Sequence, residues 1–380
     1  MGQALLFIGI AVVGVPLIHY YLWRRMVRDT TRTRRGRWIG TGILLGLAAL
    51  LFGTLIGSRR FPERALTVVS WPAYLWLAVL FYLLIGLAVL ELPAFIARRR
   101  VAASQDESRR LFLARTVAIT AGVASAGIVA YGVTQALGDP VVKRVQIPLA
   151  KLPRSTDGFR IALVSDIHLG PLNNIARTRR IVELIKAMDA DLVAVVGDLV
   201  DGSVEQLDRA VQPLRDLRGR YGQFFVTGNH EYYSGYEGWV AEVASLGIRP
   251  LRNERIELPG GLDLAGVNDV TGASYHDAPD YAKALAGRDP ARPVVLLAHQ
   301  PIQAHEAAAH GVDLQLSGHT HGGQMQPFGL VVRAAQQPIL SGYGQVDGMP
   351  VYVTNGAGFW GPPVRVGATP DVTLVELRTR

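Results

Sequence analysis

Residues 159–168 read FRIALVSDIH, an apolar, β-branched run that ends in a carboxylate and an imidazole. Phe159 to Ser165 reads as a strand, and the polar pair then lies at its C-terminal end, where α/β sheets place their ligands. The pattern recurs four times. Leu192 to Val196 is followed by Asp198, and Gln223 to Thr227 by Asn229 and His230. Val294 to Ala298 runs into His299, and Leu314 to Ser317 into His319 and His321. Between these runs the spacing predicts helices over Ile175 to Met188, Val204 to Leu217 and Glu237 to Leu246. Further strands are expected at Leu262 to Val267, Val351 to Thr354 and Val372 to Leu377. Pro327 to Met349, with scattered Gly, Pro and Gln, has no firm period and reads as loop or hairpin. The rhythm is α/β.

Five of the nine histidines occupy these strand ends. Imidazole and carboxylate together suit zinc, iron or manganese, an Asn carbonyl is a weaker oxygen ligand, and one carboxylate can bridge two cations. Two divalent metal ions fit this inventory better than one. The chain has no cysteine, so disulfides, thiolate metal sites and a cysteine nucleophile are excluded. Gly197, Gly228, Gly318, Gly322 and Gly323 flank the polar residues, as expected where tight loops bring backbone close to a ligand. No GxxxxGKS, GxSxG or GxGxxG pattern is present.

The first 140 residues are of another kind. They carry 16 Lys plus Arg against 6 Asp plus Glu, whereas the remainder carries 23 against 25. The net charge of +8 is therefore an N-terminal excess within an apolar segment. This excludes reading the basic balance as a nucleic-acid-binding domain; the lipid bilayer is the partner it suits. Ala4 to Trp23, Trp38 to Ile56, Ala73 to Phe95 and Thr116 to Leu137 are each long enough to cross a hydrocarbon layer of about 30 Å. The first inter-span loop is rich in arginine from Arg24 to Arg37, and the third carries Arg98 to Arg100, Arg109, Arg110 and Arg115. The second has only Arg59, Arg60 and Arg64 beside Glu63. Arginine-rich loops stay cytoplasmic, so the part after Pro140 is expected on the extracytoplasmic side. Ser108 to Leu113, SRRLFL, is similar to a twin-arginine export signal. The expected division is a transmembrane anchor over 1–140 and a globular domain over 141–380.

DIH (166–168), GDLVDG (197–202), GNHE (228–231), AHQP (298–301) and GHTHGG (318–323) together resemble the calcineurin-like metallophosphoesterases. GNHEYYSG and the multi-span N-terminus look most like membrane-associated bacterial phosphohydrolases of the UDP-diacylglucosamine pyrophosphatase type. The resemblance covers about 159–377. It implies a four-layered α/β sandwich of two mixed sheets, here preceded by an all-α four-span membrane region. By motif, Asp166, His168 and His321 would hold one divalent metal, Asn229, His299 and His319 the other, and Asp198 would bridge them. A water shared by the two cations would then attack phosphorus. His230 matches the residue that protonates the leaving oxygen, and Asp201 matches its carboxylate partner; a helix cap is the competing role for Asp201.

Protein phosphatases of this superfamily place an arginine after the GDxxD motif, where this chain has Gly202. That departure disfavours phosphoproteins and favours a phosphodiester or pyrophosphate, with a lipid-linked phosphoester suited to a membrane anchor. The alternative is a non-catalytic, metal-stabilised sensor or interaction domain on the same anchor. Tyr232, Tyr233, Tyr236, Phe359 and Trp360 are candidates for an apolar substrate groove, with core packing as the competing role.

Overall fold

The computed structural model describes residues 2–57, 63–102, 107–335 and 337–380. Its contacts separate two compact units, Met1–Val133 with Gly361–Pro363, and Thr134–Trp360 with Val364–Arg380. The first is all helix: α1 (Gly2–Leu22), α2 (Arg34–Gly57), α3 (Glu63–Ala102) and α4 (Glu107–Leu137). Among the described residues three helical segments are long and apolar enough to span a bilayer, Arg34–Leu55, Val68–Glu91 and Glu107–Leu137. The fourth expected span falls on α1, whose 21 residues include no Asp, Glu, Lys or Arg. The arginine-rich first loop is itself partly helical, continuing from α1 as a π-helix over Trp23–Arg28. Arg59 and Arg60 lie outside the described residues. His19 is buried and accepts the Trp76 indole N–H at 3.0 Å.

The second unit contains two six-stranded sheets. One has the order β1 (Val141–Leu149), β12 (Asp371–Thr379), β2 (Arg160–Val164), β3 (Leu192–Val196), β4 (Gln223–Val226), β5 (Arg249–Pro250). The other runs β10 (Gly342–Val346), β11 (Met349–Val353), β9 (Leu314–Ser317), β8 (Val294–Leu297), β7 (Leu262–Gly266), β6 (Glu254–Leu258). Both are mixed: β2, β3, β4 and β5 are parallel, as are β7, β8, β9 and β11, with antiparallel pairs at β12–β2, β6–β7 and β10–β11.

Period-two alternation makes the layers. Ile161, Leu163, Leu192, Ala194 and Val196 pack between the sheets against Leu264, Val295, Leu297 and Leu316. Their neighbours Ala162, Val164, Val193 and Val195 face outward. That outer face is covered by α5 (Ile175–Lys186), α6 (Val204–Val211) and α8 (Tyr236–Ser245), through Ile181, Leu207 and Trp239. A second outer layer, α9 (Tyr281–Ala284) and α10 (Ala304–Ala309), covers the other sheet through Ala284 and Ala307. The result is the expected four-layered sandwich. The helix expected over Val204 to Leu217 is split: α6 stops at Val211 and a 3₁₀ turn spans Gln212–Asp216, because Pro213 lacks the N–H the ladder needs. The stretch read as loop or hairpin contains α11 (Gly329–Ala334) and the β10–β11 hairpin; Gln336 lies outside the described residues.

Candidate metal centre

The polar strand ends meet. Asp166 and His168 follow β2, Asp198 follows β3, His299 follows β8, and His319 and His321 follow β9. Asn229 and His230 open α7 (Asn229–Ser234), immediately after β4. Three groups of potential ligands result, Asp166–His168–His321, His168–Asp198–His230 and Asp198–His299–His319, and in each the ligand atoms lie within 4.8 Å of one another. Asp198 and His168 each belong to two groups, so the three form one continuous centre.

The backbone is bent to make it. Asp166, His168, Asp198, His319 and His321 all have φ between 50° and 70°, the left-handed region that side chains other than glycine seldom adopt. At about 1 kcal/mol or more each, five such residues cost roughly 5 kcal/mol, a large part of a domain's net stability. Loops hold this strain only when the surroundings over-determine them. Fully buried Glu231 does so by accepting the N–H groups of Gly228 at 2.6 Å, Leu199 at 2.7 Å and Asp198 at 3.0 Å. Burial and neighbouring Asp198 push its carboxyl up to about 7. Gly228 and Gly318 admit no side chain, since a Cβ would stand 2.2 Å from Asp198 Oδ1 at the first and 2.2 Å from Asp166 Oδ2 at the second.

One side of the centre is a chain of hydrogen bonds. Arg365 Nη2 lies 2.8 Å from His321 Nδ1 and can only donate. With both imidazoles neutral, His321 Nε2 then donates to His168 Nε2 at 3.0 Å, and His168 Nδ1 to Asp201 Oδ1 at 2.8 Å. The same Asp201 oxygen lies 2.6 Å from His230 Nδ1. Asp166 stands 3.4 Å from His321 Nε2 and takes the His319 N–H at 2.9 Å. On the other side, His299 Nδ1 lies 2.8 Å from the Val196 carbonyl, and Nε2 points at Asp198 Oδ2, 3.2 Å away. Asn229 Oδ1 and His319 Nδ1 are buried without a hydrogen-bond partner among the described residues. Buried polar atoms are rarely left so, and two of ligand type fit a cation that completes them.

The electrostatics agree with a site built for positive charge. Burial opposes ionisation of Asp198, but His299 and His230 overcome it and hold the carboxyl well below the usual range. Burial pushes Asp166 up, with Asp198 adding to the shift. Burial also opposes a charge on His230, yet Asp198 and Asp201 raise it to about 10. Burial and the charge of His299 lower His319 to about 4. Burial and then Arg365 hold His321 well below the imidazole range. Partial burial works against Asp201, and His168 and His230 nonetheless hold it below the carboxylate range.

Asp201 does not cap α6. Ser203 precedes that helix, its N–H bonded to Gln206 Oε1 at 3.0 Å, while Asp201 sits between His168 and His230. The aromatic candidates divide. Tyr232 and Phe359 are core, whereas Tyr233 and Trp360 are 54% and 53% exposed, their rings 5.5 and 6.2 Å from that of His230. Glu231 and Arg365 are missed as builders of the site by a reading of strand ends. Glu231 had a signal, its place directly after Gly228-Asn229-His230; Arg365 had none.

Residues 159–323 match the family of calcineurin-like phosphoesterases. A protein of Danio rerio described as a transmembrane protein with metallophosphoesterase domain is 32% identical, over 99% of this chain and 89% of its own. Its counterpart in Bos taurus is 36% identical over 94% and 86%. An uncharacterized metallophosphoesterase of Helicobacter pylori strain J99 is 38% identical over 71% and 72%. The chain belongs to the calcineurin-like phosphoesterases, as a member with apolar N-terminal helices that associate with the membrane.

Proposed function

We propose that this chain is a membrane-anchored phosphohydrolase that uses two divalent cations to cleave a phosphodiester or pyrophosphate of a lipid-linked or membrane-surface substrate. The observation that carries it is the pairing of the Asp198–His299–His319 group, in which His319 Nδ1 is buried without a partner among the described residues, with the Asp166–His168–His321 group, the two joined through the His168–Asp198–His230 group. Asp166, His168 and His321 would hold one cation, Asn229, His299 and His319 the other, and Asp198 would touch both. Manganese, iron and zinc all suit these nitrogen and oxygen donors. Bound there, the cations supply an activated water and neutralise charge developing on the phosphoryl oxygens.

The chain's own residues do the rest. His230 Nδ1 is engaged by Asp201, which leaves Nε2 as the nitrogen that passes a proton to the departing oxygen. Asp201 orients that imidazole and keeps it charged. The exposed rings of Tyr233 and Trp360 beside His230 offer an apolar lip on the leaving-group side, which supports a substrate with a hydrophobic portion. Residues 1–140 act as the anchor and 141–380 as the catalytic part, on the extracytoplasmic side by arginine placement, with SRRLFL serving export. The test is hydrolysis by the full chain in lipid nanodiscs, on a chromogenic phosphodiester and on a panel of lipid pyrophosphates and phosphodiesters. Metal-dependent turnover of a lipid phosphoester is expected. A fully metallated protein inert on the whole panel would overturn the reading.

A further inference from the structure

Arg365 is fully buried and, among the described residues, has no carboxylate within ion-pair distance. Its charge is met by backbone oxygens and one imidazole. Nε donates to Gly358 O at 3.1 Å, and Nη1 to His321 O at 2.6 Å and Ala368 O at 3.4 Å. Nη2, with two N–H groups, has Gly358 O at 2.6 Å, Asn355 O and His321 Nδ1 at 2.8 Å, and Gly356 O at 3.5 Å within its reach. Only a planar five-donor fork can serve that many acceptors at once, and a buried cation so placed is retained only where its geometry matters.

Those acceptors have a common destination. The loop that Arg365 pins, residues 355–358, backs Asp166: Gly358 N–H donates to Asp166 O at 2.8 Å, and Ala357 N–H to Ser165 O at 2.9 Å. The imidazole and carbonyl it holds belong to His321, whose Nε2 faces Asp166 and His168. None of its hydrogen bonds reaches Asn229, His299 or His319.

We propose that Arg365 is the positioning residue of one half of the centre: through the carbonyls of His321, Asn355 and Gly358 it fixes the backbone that carries His321 and the loop behind Asp166, and so the geometry of the Asp166–His168–His321 group, and leaves the other half untouched. The proposal rests on the two-cation reading. Residues behind a metal's ligands that fix their orientation are worth roughly 10- to 100-fold in metal affinity.

The test is Co²⁺ titration of the metal-free full chain in detergent, followed by visible absorption and by bound metal per chain, for wild type, Arg365→Lys and Arg365→Met. Thermal unfolding of each metal-free form is recorded in parallel. His321→Ala identifies the absorption component that belongs to its half. The expected result is that Arg365→Lys weakens that component about tenfold or more, Arg365→Met weakens it further, and the other component moves less than threefold. Equal weakening of both cations, no weakening of either, or loss of cooperative unfolding in Arg365→Lys would overturn it, the last by making Arg365 a general folding residue. Wild type taking up fewer than two cations would instead fail the two-cation reading itself, and this proposal with it.

Discussion

The two halves of the proposed centre differ in how their side chains are held. The Asp166–His168–His321 half is saturated, its imidazoles linked from Arg365 through His321 and His168 to Asp201. The Asn229–His299–His319 half is more open, with Asn229 Oδ1 and His319 Nδ1 buried and without a partner among the described residues. A saturated group is oriented before any cation arrives, because protein bonds already hold each ring. An open group carries a desolvation cost that only a ligand removes. The first half thus stores orientation and the second stores affinity, and both are tied to Asp198.

Substitutions can break or sharpen that contrast, and the largest effect belongs to the shared residue. Asp198→Asn should lower kcat/KM for a phosphodiester by roughly 10³-fold or more, since it strikes both halves; steady-state hydrolysis and metal analysis check it together. Asp201→Asn should reduce kcat by roughly 10- to 100-fold, with a smaller change in KM, because it frees His168 and His230 at once; the split between kcat and KM is the readout. Thermal or denaturant unfolding of the metal-free protein separates the halves directly. His168→Ala should cost about 1–3 kcal/mol, having broken paired buried bonds, while His319→Ala should cost less than about 1 kcal/mol, since its Nδ1 had no bond to lose. Trp360→Ala should give the smallest effect, a several-fold rise in KM confined to substrates with an apolar leaving group, about 1 kcal/mol.

How much of this was legible in the sequence follows from what each part depends on. The strands around the site were readable because they are buried on both faces: Leu192–Val196 and Leu314–Ser317 are continuous apolar runs and fold as such. Sheet edges were less so. β1 begins with exposed residues and reads VVKRVQIPL, and β5 is only two residues long, so neither carries a strong period. Every proposed ligand and His230 stood out at strand ends, since an α/β sheet gathers those ends at one edge, whereas Asp201 came only from the family resemblance. Arg365 was not, because an arginine in the Gly- and Pro-rich segment 355–368 reads as exposed loop, and its burial depends on carbonyls that only the folded chain assembles. The left-handed backbone at five ligands was equally invisible, being a property of loops whose neighbours come from other strands.

The most direct test of the two-cation centre is electron paramagnetic resonance of the full chain loaded with Mn²⁺. The account predicts two ions per chain at saturation and an exchange-coupled spectrum that collapses to that of a single ion in His319→Ala. A wild-type protein that at full loading shows only isolated, uncoupled Mn²⁺ would contradict it.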